Sequence, residues 1–236
     1  MIERIISGAD GCRDGWVVVS KNLDTGEVLW CYAEDAHKLI YIEPAPVILT
    51  LDIPIGLTDA GPRQCDLMSR SMLGQGRGSS VFPAPIRPVL SAKTYEQACR
   101  VRSEIERKKM SKQAYGIMPK IRDIDEVMSQ DLDLQNRVYE IHPEMSFYHL
   151  AGSIPLNHNK KSREGHEQRV RLLEAFFGCS IEQALADRSR LHCSKDDIID
   201  AFAALWTAER ILNGKAVVIP LHPQMDEKGL FMRIVS

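Results

Sequence analysis

The chain has 236 residues, of which 44% are hydrophobic, so it is long enough to bury a sizeable core. Its formal net charge is −2, and the overall charge therefore indicates no particular partner. No stretch approaches the roughly 18 apolar residues of a membrane span, and the first residues contain no apolar run of signal-peptide length. We therefore expect no membrane association and a cytoplasmic protein whose six scattered cysteines are reduced.

The sequence of the first third of the chain predicts mainly strands. Short β-branched or aromatic runs occupy residues 3–10, 15–20 and 27–33, and the second and third runs are joined by the turn "KNLDTG". Such short connections predict an antiparallel meander. Residues 35–43 predict a short helix, and the continuous apolar run 46–57 is typical of a strand buried on both faces.

The rest of the chain predicts mainly helices. Residues 61–88 are rich in Gly, Pro, Ser and Arg and predict a loop. A strand is expected within 135–147, and a closing hairpin is expected from 216–222 and 230–236. Helical patterns follow the remaining segments, which are 94–109, 115–128, 162–178, 180–185 and 194–212.

This order of elements predicts an α/β fold with a mixed sheet flanked by helices. Three antiparallel strands followed by crossovers to two more strands is the order of the ribonuclease H-like fold, an analogy that implies no function by itself. We expect one such domain over residues 1–236, with a long basic insertion at about 57–136 between the fourth and fifth strands.

Six carboxylates are candidates for catalysis because each lies at the end of an element that the core would hold rigid: Asp10, Asp52, Glu140, Glu144, Asp197 and Asp200. If those ends lie side by side, Asp10, Asp52 and Asp200 would bind Mg²⁺ or Mn²⁺, since such ions prefer hard oxygen ligands. Asp197 and one of the two glutamates would complete the shell or orient water for phosphodiester hydrolysis.

A structural role is the alternative for each acid. Asp10 and Asp52 could serve turns, and Ser194 with Asp197 could form a helix N-cap pair. Asp200 is harder to explain, because it shares a helix face with small apolar residues and an unpaired carboxylate there would cost several kcal/mol. We expect a divalent metal or the basic insertion to compensate its charge.

The segment 60–122 contains thirteen Lys and Arg residues and only four Asp and Glu residues. A basic segment beside an acidic metal site suits a polyanionic substrate. We expect this segment to fold over the carboxylate end of the sheet, with Arg77 and Lys120 as its phosphate contacts. The alternative for residues 100–112 is an ordinary solvated helix face.

Several stretches together resemble a known family, and they occur in order from about Gly8 to Ala208: "GADGCRDGWVVV", "LDIPIGL", "RQCDLMSRSMLG", "RGSSVFPAP", "KQAYGIMPKI", "YEIHPEMSF", "REGHEQRVRLL" and "DDIIDAFAALWTA". The chain resembles the prokaryotic family called domain of unknown function 429, described as predicted ribonuclease H-like nucleases. The resemblance implies that fold and a nuclease activity. Ala9 and Asp14 depart from the residues common in the family, and neither is a proposed ligand.

The leading hypothesis is therefore a Mg²⁺- or Mn²⁺-dependent nuclease or phosphodiesterase acting on nucleic acid or another phosphorylated substrate. One alternative is a phosphotransferase of the actin-like ATPase superfamily. Against it, "GADGCRDG" lacks the Thr or Ser hydroxyls of those phosphate loops, and 236 residues is short for two such domains. A second alternative is a non-catalytic nucleic-acid-binding protein that keeps the acids for structure.

Overall fold

The computed structural model describes residues 4–236, and the predicted strand residue Glu3 lies outside them. Five strands form one mixed sheet in the order β3-β2-β1-β4-β5. The meander β1–β2–β3 is antiparallel, whereas β4 and β5 run parallel to β1. The strands are β1 (Ile5–Gly11), β2 (Trp16–Asn22), β3 (Val28–Ala33), β4 (Ile48–Leu51) and β5 (Val138–Glu140). The mixed sheet predicted from the sequence is confirmed.

Eight α-helices, four short 3-10 helices and a separate antiparallel hairpin complete the part of the chain that is described. The hairpin pairs β6 (Val218–Met225) with β7 (Phe231–Val235), as the sequence predicts. The helices are α1 (Ala36–Ile40), α2 (Gln64–Arg77), α3 (Tyr95–Glu106), α4 (Lys112–Gln130), α5 (Pro143–Leu150), α6 (Arg163–Phe177), α7 (Ser180–Ala186) and α8 (Lys195–Leu212). No helix within 4–236 combines the length and the apolar character that crossing a membrane requires.

The sheet buries a separate hydrophobic core on each face, because alternate residues of a strand point to opposite sides. In β2, Val18 faces a core that includes residues of α1 and α4. Its neighbours Val17 and Val19 face a second core, which includes residues of α6, α7 and α8. The central strands are therefore covered on both sides, and only their ends can carry a site open to solvent.

Helix α8 lies directly against β1 because Gly8 has no side chain. A Cβ atom at Gly8 would lie 2.0 Å from the backbone nitrogen of Leu205 and 2.6 Å from the carbonyl oxygen of Ala201. The helix is also tied to β4, since the Thr50 hydroxyl donates to the Ala204 carbonyl at 2.8 Å. This contact fixes where the first turns of α8 lie relative to the strand ends.

The prediction of a loop at 61–88 is wrong over residues 64–77, which form α2, and is confirmed over residues 81–86. Its buried residues Cys65, Asp66, Ser69 and Leu73 follow helical spacing, but two of them are polar, so the apolar pattern is weak. Gly74, with φ of +67°, then breaks the helical geometry. The glycines that indicated a loop therefore produce a kink near the end of a helix.

The strand predicted within 135–147 is shorter than its apolar pattern indicates. It ends at Glu140, and α5 begins at Pro143, whose fixed φ suits the first turn of a helix. His142 caps this helix, since its ring nitrogen Nδ1 accepts a hydrogen bond from the Glu144 backbone at 3.2 Å. Glu140 and Glu144 therefore lie on different elements and point to different surroundings.

Replacing Gly8 by Ala is expected to destabilise the fold by about 3 kcal/mol or more, because the new methyl group would overlap the backbone of α8. The control is Gly116→Ala within α4, where an added Cβ meets nothing within 4 Å and should stabilise by about 0.5–1 kcal/mol. Guanidinium unfolding measures both. Equal stability of Gly8→Ala and the natural protein would contradict the close approach of α8.

Candidate active site

Asp10 and Asp52 lie side by side at the carboxyl ends of β1 and β4. The strands pair in parallel with Ala9 opposite Leu51, and the Asp52 amide donates to the Ala9 carbonyl at 3.2 Å. One oxygen of Asp10 accepts a hydrogen bond from the Gly11 amide at 2.8 Å. Among residues 4–236, no group donates a hydrogen bond to the carboxylate of Asp52, so its oxygens are available to a ligand.

Helix α8 adds two more carboxylates to this end of the sheet. Asp200 is only 4% exposed, in the second turn of a helix that is otherwise apolar where it meets the sheet. Asp197 forms the expected capping box with Ser194, accepting a hydrogen bond from the Ser194 amide at 2.7 Å. The cap does not remove Asp197 from the site, because its charge also raises the pKa of Asp10.

Burial and mutual repulsion disfavour ionisation of the three central acids. Burial raises the pKa of Asp10 well above its ordinary value, and the charges of Asp52 and Asp200 raise it further. Burial also raises the pKa of Asp52 to about 7 and that of Asp200 to about 6. Because adjacent carboxylates cannot all ionise cheaply, the group attracts a cation at neutral pH. We call Asp10, Asp52 and Asp200 the carboxylate cluster.

Lys160 supplies positive charge to the carboxylate cluster. Its ammonium lies 3.1 Å from an oxygen of Asp200, and its side chain is 41% exposed. The nearby acids, Asp200 first, raise the pKa of Lys160 above its ordinary value. Sequence reasoning missed this residue, because a lysine in an irregular segment carries no pattern that distinguishes it from solvated lysines. Lys160, rather than the basic insertion, compensates Asp200.

Glu144 is the glutamate that lies close to the cluster. Its charge raises the pKa of both Asp52 and Asp200, and it is itself buried in an ion pair with Arg169. The ring of His142 adjoins the same group, and burial lowers its pKa. Since its Nδ1 accepts a hydrogen bond, His142 is neutral here and its Nε2 faces the Ser80 carbonyl at 3.3 Å.

Glu140 is engaged elsewhere. Arg63 forms a two-pronged ion pair with it, at 2.7 Å to Oε2 and 2.6 Å to Oε1, and the Ile55 amide also donates to Oε2 at 2.7 Å. Arg63 bonds Asp66 at the same time. Burial raises the pKa of Glu140 to about 7, although the Arg63 charge opposes this rise. The structure therefore gives Glu140 a structural contact that fastens α2 to the sheet.

The two cations expected to bind phosphate have different surroundings. Arg77 is buried and donates from Nε to the Leu156 carbonyl at 2.7 Å, so it holds the segment before α6. Lys120 is half-buried, donates to the Gly15 carbonyl at 2.9 Å and lies over the Trp16 ring. Its stem passes close to Gly11, the residue after Asp10. Lys120 therefore lies beside the end of β1, on the face of the sheet that α4 covers.

Part of the positive charge of residues 60–122 is neutralised in buried ion pairs. Arg63 pairs with Glu140 and Asp66, and Arg87 pairs with Asp125 and Asp226. The sequence gives the charge of this segment but does not reveal that Glu140 and Asp226, which lie far along the chain, pair with two of its arginines. The net charge of the segment thus overstates the charge that it presents to solvent.

Asp10, Asp52 and Asp200 are the residues that could hold a metal ion. Within residues 4–236, no three side chains of His, Cys, Asp or Glu are placed as a ready-made ligand set. The donor chemistry still fits a hard divalent cation, since all three are carboxylates and the oxygens of Asp52 accept no hydrogen bond from the part of the chain that the structure describes. The Lys160 ammonium on Asp200 is a cation already bound to this group.

One family model matches residues 8–225, and its description is "Protein of unknown function (DUF429)". No curated protein and no solved structure matches the chain.

Replacing Glu140 by Gln is expected to destabilise the fold by about 3 kcal/mol, because the buried Arg63 would lose one of its two anionic partners. The control is Glu167→Gln, which removes an exposed partner of Arg163 and should cost at most about 0.5 kcal/mol. Urea unfolding measures both variants. Unchanged stability in Glu140→Gln would contradict a structural role for Glu140.

The stability difference between the natural protein and Asp52→Asn should depend on pH. The folded-state pKa of Asp52 is raised from 3.8 to about 7, so the folded protein retains a proton that the unfolded chain releases. Stability from this carboxyl is therefore present below about pH 4 and lost as pH rises to about 7.

In EDTA, Asp52→Asn should consequently gain up to about 4 kcal/mol relative to the natural protein between pH 4 and pH 8. Comparing the two proteins at each pH cancels the titration of groups that Asp52 does not influence, such as His142, whereas Asp10, whose pKa the Asp52 charge raises, adds to the difference. Chemical unfolding across this pH range measures the difference. A difference that does not vary with pH would contradict the raised pKa of Asp52.

Proposed function

The chain belongs to the DUF429 family of proteins of unknown function, and from its carboxylate cluster we propose that it is a metal-dependent phosphodiesterase. The substrate would be a nucleic acid, and one or two Mg²⁺ or Mn²⁺ ions would be held by Asp10, Asp52 and Asp200. The observation that carries the proposal is that the buried Asp10 and Asp200 and the half-buried Asp52 come from β1, α8 and the end of β4 to one end of the sheet.

The topology supports this proposal by analogy. Three antiparallel strands followed by two parallel ones, in the order β3-β2-β1-β4-β5, is the strand order of the ribonuclease H-like fold. Acids at the ends of the first and fourth strands and on the last long helix suit a nuclease of that type. The analogy is one of fold, and the argument for activity rests on the carboxylates themselves.

The surrounding residues have distinct roles in this proposal. A divalent cation on the carboxylate cluster would activate a water molecule and stabilise the leaving oxygen of a phosphodiester. Glu144, held by Arg169, would orient the attacking water from a fixed position. Asp197 would add negative charge while keeping the first turn of α8 in place. Lys120, near the end of β1, would contact a substrate phosphate.

A bound cation would explain why the chain tolerates these acids. At neutral pH the three carboxyls repel one another and are poorly solvated, which destabilises the fold without a cation. A bound divalent cation would remove both costs at once. The repulsion and poor solvation of the acids would thus raise the affinity for a cation, and the protein would be more stable with the cation bound.

Purified protein with Mn²⁺ or Mg²⁺ is expected to cleave end-labelled single-stranded DNA, duplex DNA or RNA, and EDTA should abolish the cleavage. Asp52→Asn and Asp200→Asn should each lower the rate by more than about a hundredfold, since changes outside the ligand shell already cost tenfold to a hundredfold. Both variants should also lose Mn²⁺ binding in isothermal titration calorimetry.

Asp59→Asn is the matched control, because Asp59 is an exposed acid shortly after Asp52 in the chain. It should keep natural activity and Mn²⁺ affinity. Hydrolysis of ATP without phosphodiester cleavage would overturn the proposal in favour of an actin-like phosphotransferase. Nucleic-acid binding that needs neither Mn²⁺ nor the carboxylates would overturn it in favour of a non-catalytic binding protein.

A further inference from the structure

The segment between α5 and α6, residues 151–162, is held in place by contacts that do not involve Lys160. Arg77 donates to the Leu156 carbonyl at 2.7 Å, and Arg169 donates to the His158 carbonyl at 3.4 Å. Both arginines are buried, and Arg169 also pairs with Glu144 beside the carboxylate cluster. Two buried arginine side chains thus hold the backbone of this segment in place.

The backbone next to Lys160 is fixed by a third contact. The Asn159 carbonyl accepts hydrogen bonds from the amide and the hydroxyl of Ser162, at 2.9 and 3.0 Å. Gly165 in the first turn of α6 allows this turn to approach, because a Cβ atom there would lie 1.9 Å from the Asn159 oxygen. Lys160 therefore extends from a fixed backbone position towards the acids.

The ammonium of Lys160 meets the carboxylate cluster from the solvent side. It lies 3.1 Å from Asp200, and its charge opposes the rise of pKa in all three acids of the cluster. Its side chain is 41% exposed, and a lysine stem of four carbons can swing into water without disturbing the backbone. The ion pair between Lys160 and Asp200 can therefore form, and it can also break without any change in the backbone.

We propose that Lys160 is a displaceable counter-ion, which neutralises Asp200 when no divalent cation is bound and releases it when one binds. The inference rests on the proposed function, since it concerns the same cation. Two cations that share one carboxylate repel each other, so the ammonium and the metal compete for Asp200. Lys160 would thus keep the cation-free protein stable and lower its affinity for the cation.

The test compares Mn²⁺ binding by calorimetry in the natural protein and in Lys160→Met. Removing the competing charge is expected to tighten Mn²⁺ binding by about tenfold or more. Lys160→Arg keeps the charge and should bind within about threefold of the natural protein. Lys161→Met is the matched control, because it removes a neighbouring exposed lysine, and it should leave the affinity unchanged.

Thermal melts give a second readout that does not depend on activity. In EDTA, Lys160→Met should melt below the natural protein, because the carboxylates lose their counter-charge. Saturating Mn²⁺ should raise its melting temperature by more than it raises that of the natural protein. Lys160→Gln retains a polar head group and should behave in the same way, which keeps the test available if the Met variant does not fold.

The outcomes separate this inference from the function on which it rests. If the natural protein binds Mn²⁺ and Lys160→Met binds it equally or more weakly, displacement is wrong and the proposed function stands. If Lys160→Met and Lys161→Met tighten binding equally, the effect is general surface charge and displacement is again wrong. If neither the natural protein nor Lys160→Met binds Mn²⁺, both proposals are wrong.

Discussion

The close packing of α8 on β1 is the contact on which the site depends. Gly8 removes the side chain that would separate the helix from the strand, and the small residues Ala201 and Ala204 face it from α8. Because helix and sheet touch through their backbones, Asp200 reaches the ends of β1 and β4. With ordinary side chains between helix and sheet, their axes would lie further apart and the carboxylates would be separated.

That proximity has an electrostatic cost, which the surrounding structure reduces in part. Placing several carboxylates together away from water costs several kcal/mol unless positive charge accompanies them. Arg169 forms an ion pair with Glu144, and Lys160 forms one with Asp200, whereas Asp52 accepts no hydrogen bond within residues 4–236. The negative charge of the carboxylate cluster is thus only partly neutralised by neighbouring cations. This difference distinguishes the cluster from a structural ion-pair network such as that of Arg63.

The strands and most helices could be predicted because their signals are local. Alternating or continuous apolar runs identified β1 to β4, and the capping box of α8 follows from the spacing of Ser194 and Asp197. Helix α2 was missed because polar residues occupy part of its buried face and a glycine kinks its end. The acids that allow polar residues of this region to be buried, such as Glu140 for Arg63, lie far along the chain.

The same distinction applies to the carboxylates. Asp10, Asp52 and Asp200 could be grouped from the sequence, since each lies at the end of a recognisable element. The choice between Glu140 and Glu144 could not be made, because it depends on which arginine each one meets across the fold. The contact of Lys160 with Asp200 could not be predicted, since it depends on how the segment 151–162 folds and not on a sequence pattern around Lys160.

The tight turn before α6 also bears on how the family can change over evolutionary time. The Asn159 carbonyl occupies the space where any side chain at position 165 would lie, so residue 165 and the path of the preceding segment are not independent. A lineage that replaces Gly165 must reroute the chain around Lys160, by an insertion, a deletion or a lysine placed elsewhere. Covariation between position 165 and the length of this segment would record that constraint across homologues.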